Sequence, residues 1–172
     1  MNTRISSARG FSLIEVMVTV VVVAFGLLGI AGLLLRGLQA GSTSQIRSLA
    51  VSQAYDMAER MRANLTYVND GSYNDVLPAG SSSSCSTLLS LITDNDDSTT
   101  PIVAAPTSAP SCTGSGAAYE KSCWHATNYQ SMPLGSGAIC HSATNRWYAI
   151  IVSWDENRSG ATNKSFWTII EP

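Results

Sequence analysis

Glu15 constrains this chain more than any other residue. It is the only charged side chain in the 25 residues from Phe11 to Leu35, where Ser12 and Thr19 are the other polar ones. An ionised carboxylate deep in a bilayer costs about 2.5–3.5 kcal/mol, so a chain retains one where an opposite charge meets it. Hydrolysis of the Gly10–Phe11 bond supplies that charge by freeing the α-amino group of Phe11. Opposite charges attract far more strongly away from water than in it. The expected chemistry is cleavage after Gly10, then pairing of the Phe11 amine with the Glu15 of a neighbouring copy.

Other residue types that do chemistry give bland readings. Cys85, Cys112, Cys123 and Cys140 all follow the apolar run, and an even count in an exported segment reads as disulfides. Three connectivities are open, and the sequential one, Cys85–Cys112 with Cys123–Cys140, closes the shortest loops. His125 and His141 lie beside cysteines, but their spacing matches no common zinc pattern. Asp94, Asp96 and Asp97 lack the glycine and closing glutamate of a calcium loop. No G-x-S-x-G or H-E-x-x-H motif occurs, so no catalytic residue, metal or cofactor is expected. From position 37 onward seven basic residues stand against eleven acidic ones. That balance argues against a grip on nucleic acid, which needs clustered Lys and Arg.

The elements that hold Glu15 follow from periodicity. A helix over 11–35 spans about 37 Å, enough to cross a hydrocarbon core of about 30 Å. Arg4 and Arg9 precede it, and positive charge keeps that end cytoplasmic. The apolar run is longer than that of an ordinary signal peptide, and no small-residue cleavage site follows it, so the anchor should survive processing. Residues 37–44 are rich in Gly and Ser and taken alone would break a helix. Helical spacing resumes at once with Ile46, Leu49, Ala50, Ala54, Met57, Ala58, Met61 and Leu65. One long helix from Phe11 to about Asn64 is predicted, softened or kinked near 37–44. Asp56–Arg60 and Glu59–Arg62 are ion pairs on its outer face.

The remainder reads as a globular domain, 66–172, with an irregular disulfide-braced region over 80–123. Within it Leu88-Leu89-Ser90-Leu91-Ile92 is helix or strand. Two segments, 146–154 and 165–170, are β-branched and aromatic and predict a hairpin with a long loop. A helix first and a sheet last gives an α+β fold, the amphipathic half of the helix laying its apolar stripe on the antiparallel sheet.

The block Gly10-Phe11-Ser12-Leu13-Ile14-Glu15, with its short basic leader and apolar helix, resembles the class III signal of type IV pilins and pseudopilins. The resemblance covers roughly the first third of the chain. It implies a prepilin peptidase that cuts after Gly10, N-methylation of Phe11, assembly through Glu15, and a long helix on an antiparallel sheet. Four blocks resemble PilV-type minor pilins: Glu15-Val16-Met17-Val18, Gly26 to Gly32, Asp56-Met57-Ala58-Glu59-Arg60-Met61-Arg62-Ala63-Asn64, and Val152-Ser153-Trp154. The resemblance makes Asp56, Met57, Glu59 and Arg60 candidates for subunit contact. Major pilins commonly carry a proline inside the anchor. Here Gly26, Gly29 and Gly32 stand instead, and no proline precedes Pro78.

The reading that follows is a non-enzymatic minor pilin. It is anchored in the inner membrane with its C-terminal domain in the periplasm, and it enters a type IV pilus. Its implied partners are the prepilin peptidase, other minor pilins, the major pilin, the inner-membrane assembly platform and a tip adhesin. Adhesion and twitching motility are the implied outcomes. A minor pseudopilin of type II secretion shares the same signal. A membrane-anchored periplasmic enzyme or receptor is the reading from another class.

Overall fold

The computed structural model describes residues 11–93, 100–162 and 164–172. A helix of 51 residues, α1 (Leu13–Ala63), is followed by α2 (Leu65–Asn69), α3 (Cys85–Thr93) and α4 (Gly116–Ser131). Among the described residues three strands follow: β1 (Ser136–Ser142), β2 (Trp147–Trp154) and β3 (Lys164–Ile170). The chain divides into two compact units, residues 1–42 and 43–172. The boundary falls inside the Gly- and Ser-rich stretch, yet α1 is helical throughout it.

In the first unit every described residue, 11–42, is exposed. α1 is long and apolar enough here to cross a membrane. Thr19 donates its hydroxyl to the Val16 carbonyl at 2.9 Å, so this polar group is satisfied within the helix and needs no water.

The second unit is built on an antiparallel sheet in the order β1-β2-β3. The β1–β2 turn bonds the Arg146 N–H to the Ser142 carbonyl at 2.9 Å, with Arg146 left-handed at φ 56°. β2 is buried along its whole length because both of its faces are covered. On one face Tyr148, Ile150, Val152 and Trp154 pack with Ala50, Ala54, Met57, Ala58 and Met61 of α1 and with Trp124 of α4. On the other, Trp147, Ala149 and Ile151 pack with Cys85, Leu88 and Ile92 of α3 and with Val103. Burying each large apolar side chain contributes about 1.5–3 kcal/mol, so this central strand holds the fold together. The apolar stripe expected on α1 is the stripe that meets the sheet. Leu65 departs from it: it lies in α2 and is exposed.

The region 80–123 is less irregular than expected. It contains α3 and half of α4, and Leu88 to Ile92 is helical. β1 precedes the expected hairpin as a third strand. Two glycines let α4 close onto β1. A Cβ at Gly137 would stand 2.4 Å from the Trp124 ring, and one at Gly135 would stand 1.9 Å from the Asn128 carbonyl oxygen.

The disulfides correct the sequential pairing. Cys85 bonds Cys140, and Cys112 bonds Cys123, with Cα separations of 5.2 and 4.3 Å. Loop length lost to topology. β1 turns Cys140 toward the face that α3 covers, and Cys85 opens α3 on that face. Cys123 lies on α4, whose Ser122 hydroxyl bonds both the N–H and the carbonyl of Thr113, holding Cys112 alongside.

Candidate functional site

Phe11 and Ser12 precede the first turn of α1, and the Ser12 carbonyl accepts the Glu15 N–H at 3.0 Å. Glu15 therefore sits in the first turn, where the helix dipole favours a negative charge. Phe11 and Glu15 are both exposed, along with Leu13, Ile14, Val16 and the apolar residues onward to Leu38. A surface of this kind is stable in lipid or against other helices, not in water. Among the described residues no group lies within 4 Å of a Cβ built at Gly26, Gly29 or Gly32, so the packing they show does not require these glycines. Small residues let a second helix approach closely in a membrane. Gly10, the residue before the expected cut, lies outside the described residues.

The outer half of α1 carries the ion pairs expected from spacing. Arg60 Nε bonds Asp56 Oδ2 at 2.9 Å, and Arg62 Nη1 bonds Glu59 Oε1 at 2.6 Å, all four side chains being substantially exposed. Surface pairs of this kind stabilise weakly. Met57 is different. It is fully buried against the sheet because it falls on the apolar stripe between Ala54 and Met61, so its role is core packing and not subunit contact.

Some groups that organise the domain left no local signal. Arg47 reaches across to Glu156 at 2.8 Å, tying α1 to the loop after β2. Glu120 on α4 accepts hydrogen bonds from Asn64 at 2.9 Å and from the Tyr73 hydroxyl, which joins α1, α4 and the 70–76 turn. Burial, then the Glu120 carboxylate, pushes the Tyr73 phenol well above its ordinary range. Asp155 is almost fully buried and accepts from the N–H groups of Asn157 and Gly160 at 3.2 and 2.7 Å. Burial opposes its ionisation, but these bonds and the Ser159 hydroxyl prevail and hold its pKa below the usual carboxylate value. The β2–β3 loop folds around that carboxylate.

Cys123 and Cys140 are spent in disulfides, so neither offers a thiolate for zinc. His141 lies against the Tyr148 ring at 4.7 Å. His125 lies beside Trp124 with the two rings tilted by 55°, and both its ring nitrogens are buried without a partner among the described residues. Burial, with Lys121 adding like-charge repulsion, pushes its pKa down to about 4. Among the described residues no three His, Cys, Asp or Glu side chains gather as a metal site. Asp94, Asp96 and Asp97 lie outside the described residues.

Comparison with known proteins agrees with the geometry at the start of the chain. Residues 5–31 match the family model described as the prokaryotic N-terminal methylation motif. The match contains Gly10, Phe11 and Glu15, and supports a type IV pilin-like or pseudopilin protein, a structural class processed by a prepilin peptidase. The exposed apolar helix fits the membrane anchor of such a protein. No curated protein and no solved structure matches the chain.

Proposed function

We propose that this chain is a minor pilin of the type IV pilus, of the PilV type. A prepilin peptidase cuts it after Gly10, Phe11 is N-methylated, and the helix from Phe11 enters a bundle in which that amine neutralises a neighbour's Glu15. The C-terminal domain faces the periplasm and contacts other minor pilins through the exposed charges Asp56, Glu59 and Arg60. The complex primes assembly on the inner-membrane platform, is joined by the major pilin, and sits near the fibre tip with an adhesin. Adhesion and twitching motility follow.

One observation carries the reading. A carboxylate stands in the first turn of a helix that is uniformly exposed through residue 42 and almost wholly apolar through Leu35, inside a matched methylation motif. The test is Glu15→Ala. The variant should insert and be processed normally but be lost from sheared fibres. Normal amounts of it in the fibres would refute the charge pairing. The motif is equally that of a minor pseudopilin of type II secretion. A deletion strain that keeps its pili and loses secreted enzymes would establish that alternative.

A further inference from the structure

The two disulfides stand in different surroundings. Cys85 and Cys140 are 7% and 0% exposed, inside the core layer between α3 and the sheet. Cys112 is exposed and Cys123 half-buried, and neither packs in either core layer. Cys112 lies in a strap, residues 107–116, in which every residue but Pro110 is exposed. The strap is held to α4 twice over. Besides the disulfide, Thr113 donates its N–H to the Ser122 hydroxyl at 2.9 Å, and that hydroxyl reaches the Thr113 carbonyl at 2.7 Å. Gly114 lies close against α4, where a Cβ would stand 3.2 Å from the Ala118 methyl. α4 in turn is fixed without help from sulfur. The Trp124 indole N–H bonds the Gln53 carbonyl of α1 at 2.9 Å, and Glu120 accepts from Asn64 at 2.9 Å. Ala117 and Trp124 pack in the core on the α1 side of the sheet.

We infer that Cys112–Cys123 is a thiol–disulfide exchange site, opened and resealed by a dithiol protein while the domain stays folded. Exchange needs an attacking thiolate to reach a sulfur, so the exposed bonds of a protein are the labile ones. Cys112 is the reachable end. A thiolate of the dithiol bonds the Cys112 sulfur, the S–S bond breaks, and its electron pair leaves on Cys123 Sγ. The second thiol of the dithiol then displaces Cys112 from the mixed disulfide. The dithiol ends oxidised to its own disulfide, and its two protons end on Cys112 and Cys123. Cys85–Cys140 takes no part, because an attacker reaches it only if α3 leaves the sheet. Opening removes one tether of the strap and no core contact. The Ser122 bonds keep Thr113, and with it Cys112, beside α4, so oxidation reforms the same bridge. The exchange thereby sets how firmly the exposed strap lies on α4.

The inference concerns residues 43–172 and is independent of what the anchor does. Its test treats the full chain in detergent with dithiothreitol, quenches with acid, alkylates and maps the cysteines by mass. Cys112 and Cys123 should become alkylated about tenfold faster than Cys85 and Cys140. The near-ultraviolet circular dichroism of the folded domain should persist meanwhile. Both bridges opening together, Cys85–Cys140 opening first, or the folded spectrum vanishing as Cys112–Cys123 opens would each overturn the inference. A thioredoxin-type protein whose second cysteine is replaced by serine identifies the attacked sulfur. It should be trapped on Cys112, and trapping on Cys123 or on neither would contradict the assignment. A chain carrying Cys112→Ser and Cys123→Ser checks the structural side. It should fold with Cys85–Cys140 formed, its faster hydrogen exchange confined to the strap and the first turn of α4. Exchange that also rises across β1 and β2 would show a bridge that holds the domain together, and would refute the reading.

Discussion

At the residue scale, Glu15 and His125 are the groups most at odds with their surroundings. The conflict that Glu15 poses is legible from spacing alone, because an acid among apolar residues is at odds with its environment in any fold. That of His125 is not. His125 stands in the run Cys123-Trp124-His125-Ala126, and only the packing of α4 shows that its ring nitrogens are enclosed without partners among the described residues. Its pKa in the fold, about 4, lies below its unfolded value of about 6.5. Between those values the unfolded chain binds the proton more readily, so stability is lost as pH falls from about 6.5 toward 4. The expected slope from this group approaches about 1.4 kcal/mol per pH unit. Denaturant unfolding of the domain at pH 7, 6 and 5 should show that decline, and His125→Gln should flatten it. An unchanged slope in the variant would place the pH sensitivity elsewhere.

At the element scale, the long helix and the β2–β3 hairpin were readable because each repeats its own period over many residues. α4 and β1 were not. α4 sets the polar Asn128 among Ala117 and Trp124 on its buried face, which breaks the apolar period. β1 is Ser-Gly-Ala-Ile-Cys-His-Ser, poor in the residues that mark strands, and its Gly137 exists to admit the Trp124 ring. Gly137→Ala should therefore cost about 1–3 kcal/mol by overpacking, measurable as a lower unfolding midpoint. Ile150→Ala, at the centre of β2 and fully buried, should cost about 2–5 kcal/mol. A loss under 1 kcal/mol at Ile150 would mean that β2 is not the strand both layers depend on. Disulfide pairing was beyond the sequence for a related reason. It depends on which face of β1 meets α3, a contact between elements far apart in the chain. Cys85→Ser with Cys140→Ser should destabilise by about 2–4 kcal/mol, since that bridge closes a separation of 55 residues.

At the scale of the whole molecule, the two units divide the labour. Residues 43–172 form a domain with a two-layered core around β2, two disulfides and an open strand edge. Residues 11–42 have no buried side chain of their own, so their stability comes from lipid or from neighbouring helices. That division suits a subunit whose first segment is handed from membrane to fibre while its domain stays folded. The account depends on the Phe11 amine being free to meet a carboxylate. Mass spectrometry of the mature polypeptide from assembled fibres reads this directly. The polypeptide should begin at an N-methylated Phe11. A functional fibre subunit still carrying residues 1–10 would contradict the account.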